Sequence, residues 1–146
     1  MVRRILAVLG LLGIAGAASA IDYRSVDVPA AILYDAPSQK GKKLYLIKAQ
    51  TPVEVVVRLD GWFKVRDAEG TLAWIESRLV SERRTLIITA PKAEVRQSDK
   101  AEAPILVQLE KWMAVDFVES ASPGWAKVRQ RDGAVGYIRA NQVWGL

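Results

Sequence analysis

Gly61-Trp62-Phe63-Lys64-Val65-Arg66 returns 63 positions later as Gly124-Trp125-Ala126-Lys127-Val128-Arg129. In each run the side chains alternate in character. Phe63 and Val65, or Ala126 and Val128, fall on one side; Trp62, Lys64 and Arg66, or Trp125, Lys127 and Arg129, fall on the other. A period of two marks a strand with one buried face, because successive Cβ atoms of a strand point to opposite sides of the sheet. The glycine opening each run marks a turn just ahead of it. A duplicated strand predicts a duplicated β-fold.

The flanking residues follow the same plan. At the same spacing Leu72-Ala73-Trp74-Ile75 matches Val135-Gly136-Tyr137-Ile138, and the charged turn ending in Gly70 matches the one ending in Gly133. Upstream, Val53-Glu54-Val55-Val56-Val57 aligns with Ala114-Val115-Asp116-Phe117-Val118 at a spacing of 61. The difference of two is assigned to a longer loop, Ser120 to Pro123, where the first copy has Leu59-Asp60. Residues 53–58 and 62–67 read as a hairpin, with a third strand at 71–75 after the turn Ala68-Glu69-Gly70. Val, Ile, Trp and Tyr fill these runs and Asp, Gly and Lys fill the gaps. Residues 76–79 and 139–142 have room for single helical turns only.

Several short strands in about 60 residues predict a small barrel, which limits exposed edges by closing its sheet. The expected fold class is therefore all-β: two tandem barrels, at 26–82 and 85–146, after an N-terminal signal peptide at 1–20. The joint Ser81-Glu82-Arg83-Arg84-Thr85 is polar and short, and Leu86-Ile87-Ile88 follows it. A barrel this small buries only about 60% of its unfolded surface. The two are expected to pack together and unfold together.

Arg3 and Arg4, the uncharged apolar run Ile5 to Ala17 and the small residues Ala18-Ser19-Ala20 have the order of a secretory signal, with cleavage expected after Ala20. The apolar run is shorter than the ~20 residues a bilayer-spanning helix needs. A periplasmic or secreted protein without stable membrane insertion is expected. Loss of Arg3 and Arg4 lowers the net charge from +5 to +3, mild enough to argue against nucleic acid as a partner. The sequence has no His and no Cys, so Ser-His and Cys-His nucleophiles and His- or Cys-ligated metal sites cannot be built. A non-catalytic protein is expected, with no catalytic residue, cofactor or metal.

Each copy resembles a bacterial Src-homology-3-like domain, and the mature chain resembles exported tandem proteins of that group. The resemblance rests on Gly61 to Arg66, on Gly70 to Ile75 with the trailing Glu76-Ser77-Arg78-Leu79, and on the second-copy equivalents ending at Trp144-Gly145. The group's usual Asn-Val-Arg before a Gly-Pro turn is replaced by Ile32-Leu33-Tyr34 before Ala36-Pro37 in copy one. In copy two it becomes Glu94-Val95-Arg96, without the proline. Ligand contacts of that loop therefore do not carry over. The resemblance implies binding to cell-wall polymer or its stem peptides (peptidoglycan), or to an envelope protein, without catalysis. The alternative is a periplasmic protein–protein adaptor that recognises its partner through an aromatic groove.

The candidate ligand-binding residues are Trp62, Lys64 and Arg66 with Trp125, Lys127 and Arg129, an aromatic ring beside two cations in each copy. A ring face stacks on a sugar or peptide and the cations meet carboxylates; equally, Lys and Arg stems cover a partly buried Trp on a solvated face. Trp74 and Tyr137 alternate with Ile75 and Ile138, so they either line a groove or pack in a core, the latter being the simpler expectation. Trp112 is expected to fill the joint between the barrels. Asp67 and Glu69, with counterparts Gln130 and Asp132, sit in turns where acids usually bond local backbone amides. Lys40-Gly41-Lys42-Lys43 reads as a solvated basic loop able to touch an anionic polymer.

Overall fold

The computed structural model describes residues 20–146, in which fourteen strands alternate with turns and two 3₁₀ turns, Ser77–Leu79 and Ala140–Gln142. The expected signal peptide lies almost wholly on residues 1–19, outside those described. The first seven strands are β1 (Tyr23–Val26), β2 (Ala30–Tyr34), β3 (Lys43–Lys48), β4 (Pro52–Leu59), β5 (Trp62–Arg66), β6 (Leu72–Glu76) and β7 (Val80–Ser81). Their counterparts are β8 (Thr85–Ile88), β9 (Lys92–Arg96), β10 (Ile105–Glu110), β11 (Ala114–Ser120), β12 (Trp125–Arg129), β13 (Val135–Arg139) and β14 (Val143–Trp144). The sheets have the orders β3-β2-β6-β5-β4-β1-β7 and β10-β9-β13-β12-β11-β8-β14, so the duplication is complete in topology. The first sheet takes in β1, beginning at Tyr23.

Each sheet curls around one core. Val26, Leu33, Ile47, Val53, Val65 and Ile75 come from six different strands, including the edge strand β3, yet form a single buried cluster. Leu86, Val95, Leu109, Val115, Val128 and Ile138 do the same in copy two. The curl is closed at one corner by the backbone: Gln50 N donates to Val26 O at 2.8 Å, and Trp112 N to Ile88 O at 2.8 Å. Both residues need a left-handed backbone to do so, with φ of 65° and 71°.

The ladders correct the upstream alignment. Tyr23 pairs with Glu54 and Thr85 with Asp116, while Glu54 pairs with Arg66 and Asp116 with Arg129. Glu54 therefore corresponds to Asp116, and Val55 to Phe117, at a spacing of 62 rather than 61. The loop beyond Arg58 and Ser120 is longer in copy two by one residue, not two: residues 121–125 against 59–62. A run of three valines fits either alignment by composition; hydrogen bonds to both neighbouring strands admit one.

The copies are joined tightly. All four residues of β8 are buried, which is why Leu86-Ile87-Ile88 reads as an unbroken apolar run rather than an alternation. Trp144 of β14 meets Tyr23 of β1 edge to face, with centroids 5.2 Å apart. Arg84 lies between Tyr23 and Phe117, its guanidinium 5.2 Å from the first ring and 5.0 Å from the second, donating to Gly145 O at 2.7 Å. Gly145, at φ 117°, is buried so close to the first copy that a Cβ there would stand 3.4 Å from Pro52 Cβ. The joint aromatic is thus Trp144. Trp112 instead stays 45% exposed on the wall of a cleft between the copies.

Candidate binding faces

β5 and β12 present the alternation that their sequences predict. Val65, Ala126 and Val128 are fully buried and Phe63 packs against the first core, while Trp62, Lys64, Arg66, Trp125 and Lys127 are half-buried on the other side and Arg129 is exposed. β6 and β13 extend these faces. Lys64 stands opposite Trp74 and Lys127 opposite Tyr137. Ala73 and Ile75 are buried, as is Ile138, so Trp74 and Tyr137 point away from the cores and lie half-buried on the outer faces. This corrects the simpler expectation of core packing for both, and the cause is the strict period of the strand.

The two faces differ in charge, and the joint is one reason. In copy one, Arg66 is held by Glu54 across the ladder at 3.0 Å. The corresponding acid of copy two, Asp116, is taken by Arg83 through two bonds of 3.0 and 2.7 Å. Its two-point grip on that carboxylate raises the Arg83 pKa above its ordinary value. Arg129, the counterpart of Arg66, has no acid partner among the described residues. Lys127 keeps a looser contact with Glu119, at 3.7 Å.

The aromatic neighbours diverge as well. Trp62 is met edge-on by the buried Tyr34, with centroids 5.5 Å apart. The ladder puts Arg96 at the equivalent place in copy two, where it bonds Glu94 and donates to Ala103 O at 2.7 Å. Trp125 is covered instead by the guanidinium of Arg139, 4.7 Å from its ring centroid, where copy one has Glu76. Copy one is accordingly an aromatic face with balanced charge. Copy two is cationic: Trp125, Lys127, Arg129 and Arg139 lie side by side.

The turn acids are structural. Asp67 Oδ1 accepts from the N–H groups of Glu69 and Thr71, both at 2.9 Å, and its Oδ2 accepts from Tyr45 Oη at 2.8 Å. Desolvation, reinforced by this bond to a carboxylate, pushes the Tyr45 pKa well above its ordinary value. The Ser122 hydroxyl, and after it the Ser122 N–H donating to Asp99 Oδ2 at 3.1 Å, draw the Asp99 carboxyl pKa down. Lys40, Lys42 and Lys43 are exposed. No group of three or more acids able to hold a metal occurs among the described residues.

The solved structures that align with this chain include NlpC2 and NlpC1 from Trichomonas vaginalis, at 15% and 14% identity, each with a TM-score of 0.40, and an NlpC/P60 family protein from Bacillus cereus, at 15% identity and a TM-score of 0.39. The alignments cover 86%, 93% and 84% of this chain but 48%, 50% and 55% of those proteins, so the chain spans about half of their length. No curated protein matches it. The family model for the bacterial SH3 domain matches twice, over residues 27–82 and 90–145. Matched over more than half of its residues and folded as two copies of one topology, the chain belongs to the bacterial SH3 domain family, as a tandem pair.

Proposed function

We propose that this protein is a non-catalytic binding module of the bacterial envelope, exported by its N-terminal signal and attaching to cell-wall polymer or its stem peptides through the outer faces of β5–β6 and β12–β13. The observation that carries this reading is Arg129. Asp116, the acid opposite it, is drawn off by Arg83, so an uncompensated cation stands on the same face of β12 as Lys127 and Trp125. An exposed cation sharing a face with an aromatic ring suits a ligand that combines sugar or peptide planes with carboxylates. Each face contributes weakly, an exposed ion pair being worth only about 0.2–1 kcal/mol. Two faces on one rigid pair engage a repetitive polymer together and gain through effective concentration.

Co-sedimentation with isolated cell-wall sacculi tests this. The protein should pellet with sacculi, and less so as salt rises. Arg129→Ala and Trp125→Ala should lower retention far more than they lower binding to short soluble wall fragments. A folded Arg129→Ala variant that pellets like the parent, or a parent that stays in the supernatant, overturns the assignment.

A further inference from the structure

β3 (Lys43–Lys48) ends the order of the first sheet, so one row of its backbone N–H and C=O groups has no strand beside it. Such a row is a template for an added strand unless the sequence blunts it. Here it carries Leu46, which at 67% is the most exposed large hydrophobic side chain among the described residues, and Leu44, at 42%. Lys43 and Lys48 bracket the strand, with Lys40 and Lys42 just before it. All four are exposed, and none is ion-paired among the described residues. A bulge at Leu44 leaves Tyr45 to Lys48 as the regular segment.

This segment also forms one wall of the cleft between the copies, a space of 1140 Å³. Across it stand Trp112 and Met113, 45% and 46% exposed. Trp112 holds φ at 71°, a conformation bulky residues disfavour and which persists only where the surroundings impose it. The wall-binding faces use none of these residues.

We propose that the β3 edge is a docking site for an extended, acidic segment of a partner protein. The segment adds a strand beside Tyr45 to Lys48 and turns alternate apolar side chains toward Leu46, Trp112 and Met113. Main-chain bonds supply affinity in this mode and side-chain pockets supply selectivity. The lysines choose the occupant. Antiparallel pairing of β3 with a second copy over its full length would set Lys43 against Lys48, and like charges directly opposite are unfavourable. A glycan has no backbone ladder to offer the free edge. A peptide with Asp or Glu flanking an apolar alternation meets both the free ladder and the unpaired lysines.

The test uses the full chain and a labelled synthetic peptide, Glu-Val-Thr-Val-Thr-Val-Glu, read by fluorescence anisotropy. Versions with Lys in place of Glu, and with alternate backbone nitrogens methylated, serve as comparisons. The Glu-ended peptide should bind saturably. The Lys-ended and N-methylated peptides, and the Leu46→Asp variant, should each bind at least about tenfold more weakly. Amide exchange at Tyr45 to Lys48 should slow on binding, while the Leu46→Asp variant, altered at an exposed side chain, keeps the parent's unfolding midpoint. Equal binding of Glu- and Lys-ended peptides, undiminished binding after N-methylation, or no saturation up to about 1 mM overturns the proposal. So does self-association that Leu46→Asp abolishes, which makes the occupant a second copy. Sacculus retention lost in Leu46→Asp but kept in Arg129→Ala would assign this edge to the wall and overturn both readings.

Discussion

Replacing Arg84 by Met removes a cation from between two rings while retaining most of its apolar stem. The guanidinium lies 5.2 Å from the Tyr23 ring in the first sheet and 5.0 Å from the Phe117 ring in the second, and it donates to Gly145 O at 2.7 Å. A partly desolvated cation–π contact contributes about 1 kcal/mol, so the two give about 2. A hydrogen bond from a charged donor adds roughly 2 kcal/mol. Against these stands the buried Nε, which has no partner and costs on the order of 1 kcal/mol. The balance is about 3 kcal/mol, or a fall in Tm of roughly 10 °C for a protein of this size. Because the contacts span both sheets, the loss should also loosen their coupling. Calorimetry should resolve two transitions in Arg84→Met and one in the parent. Arg84→Lys keeps the charge without the planar fork and should recover less than half of the loss. An Arg84→Met variant that unfolds in one transition within about 0.5 kcal/mol of the parent refutes the reasoning, since that is the scatter of ordinary surface substitutions.

Gly136→Ala should cost about 1–3 kcal/mol by urea denaturation, because its Cβ would fall 2.4 Å from Val95 Cγ1 and 2.9 Å from Arg96 O; a neutral result would mean that β9 yields freely. Tyr45 holds its proton more tightly when folded than the ordinary value of 10.0 implies, so its contribution is fully present below pH 10.0 and is lost as pH rises beyond it. Tyr45→Phe should flatten the alkaline decline of the urea midpoint from about pH 10 upward, and an unchanged slope would remove Tyr45 as its source. Intact mass of protein recovered from the envelope should correspond to a chain beginning at Ile21, and retention of Met1 to Ala20 in a membrane pellet would contradict export with cleavage.

The repeat, the hairpin and the two-sided character of β5 and β12 were legible because each depends on residues close in sequence and on a period of two. The same period could have placed Trp74 and Tyr137 on the outer faces: Ile75 and Ile138 have the first claim on the core, and their neighbours must then face out. The alignment of β4 with β11 was legible in one residue only. The valines of Val53 to Val57 fit a shift of one equally well and only Glu54, matching Asp116, distinguishes it, while the pairing that fixes it comes from Tyr23 and Thr85, residues with nothing in common by type. The charge difference between the faces was hidden for a similar reason. It turns in part on Arg83 reaching Asp116 across 33 positions, a contact between the joint and the second sheet. Trp112 was the residue expected at the joint; the return of β14 beside β8, not visible in one dimension, gives that place to Trp144.

The clasp of Tyr23 and Trp144 joins residues 121 positions apart, nearly the ends of the described chain. Contacts of such sequence separation bear the largest loop-closure entropy when made first, and the smallest when the intervening chain is already folded. Every strand pair within a copy closes a shorter loop than this. The order of assembly follows: each sheet condenses on its own core, and the clasp with its Arg84 wedge forms last, once β14 has reached β8. A contact made that late is absent from the folding transition state and is broken early on unfolding. It therefore governs how long the finished pair survives more than how fast it forms.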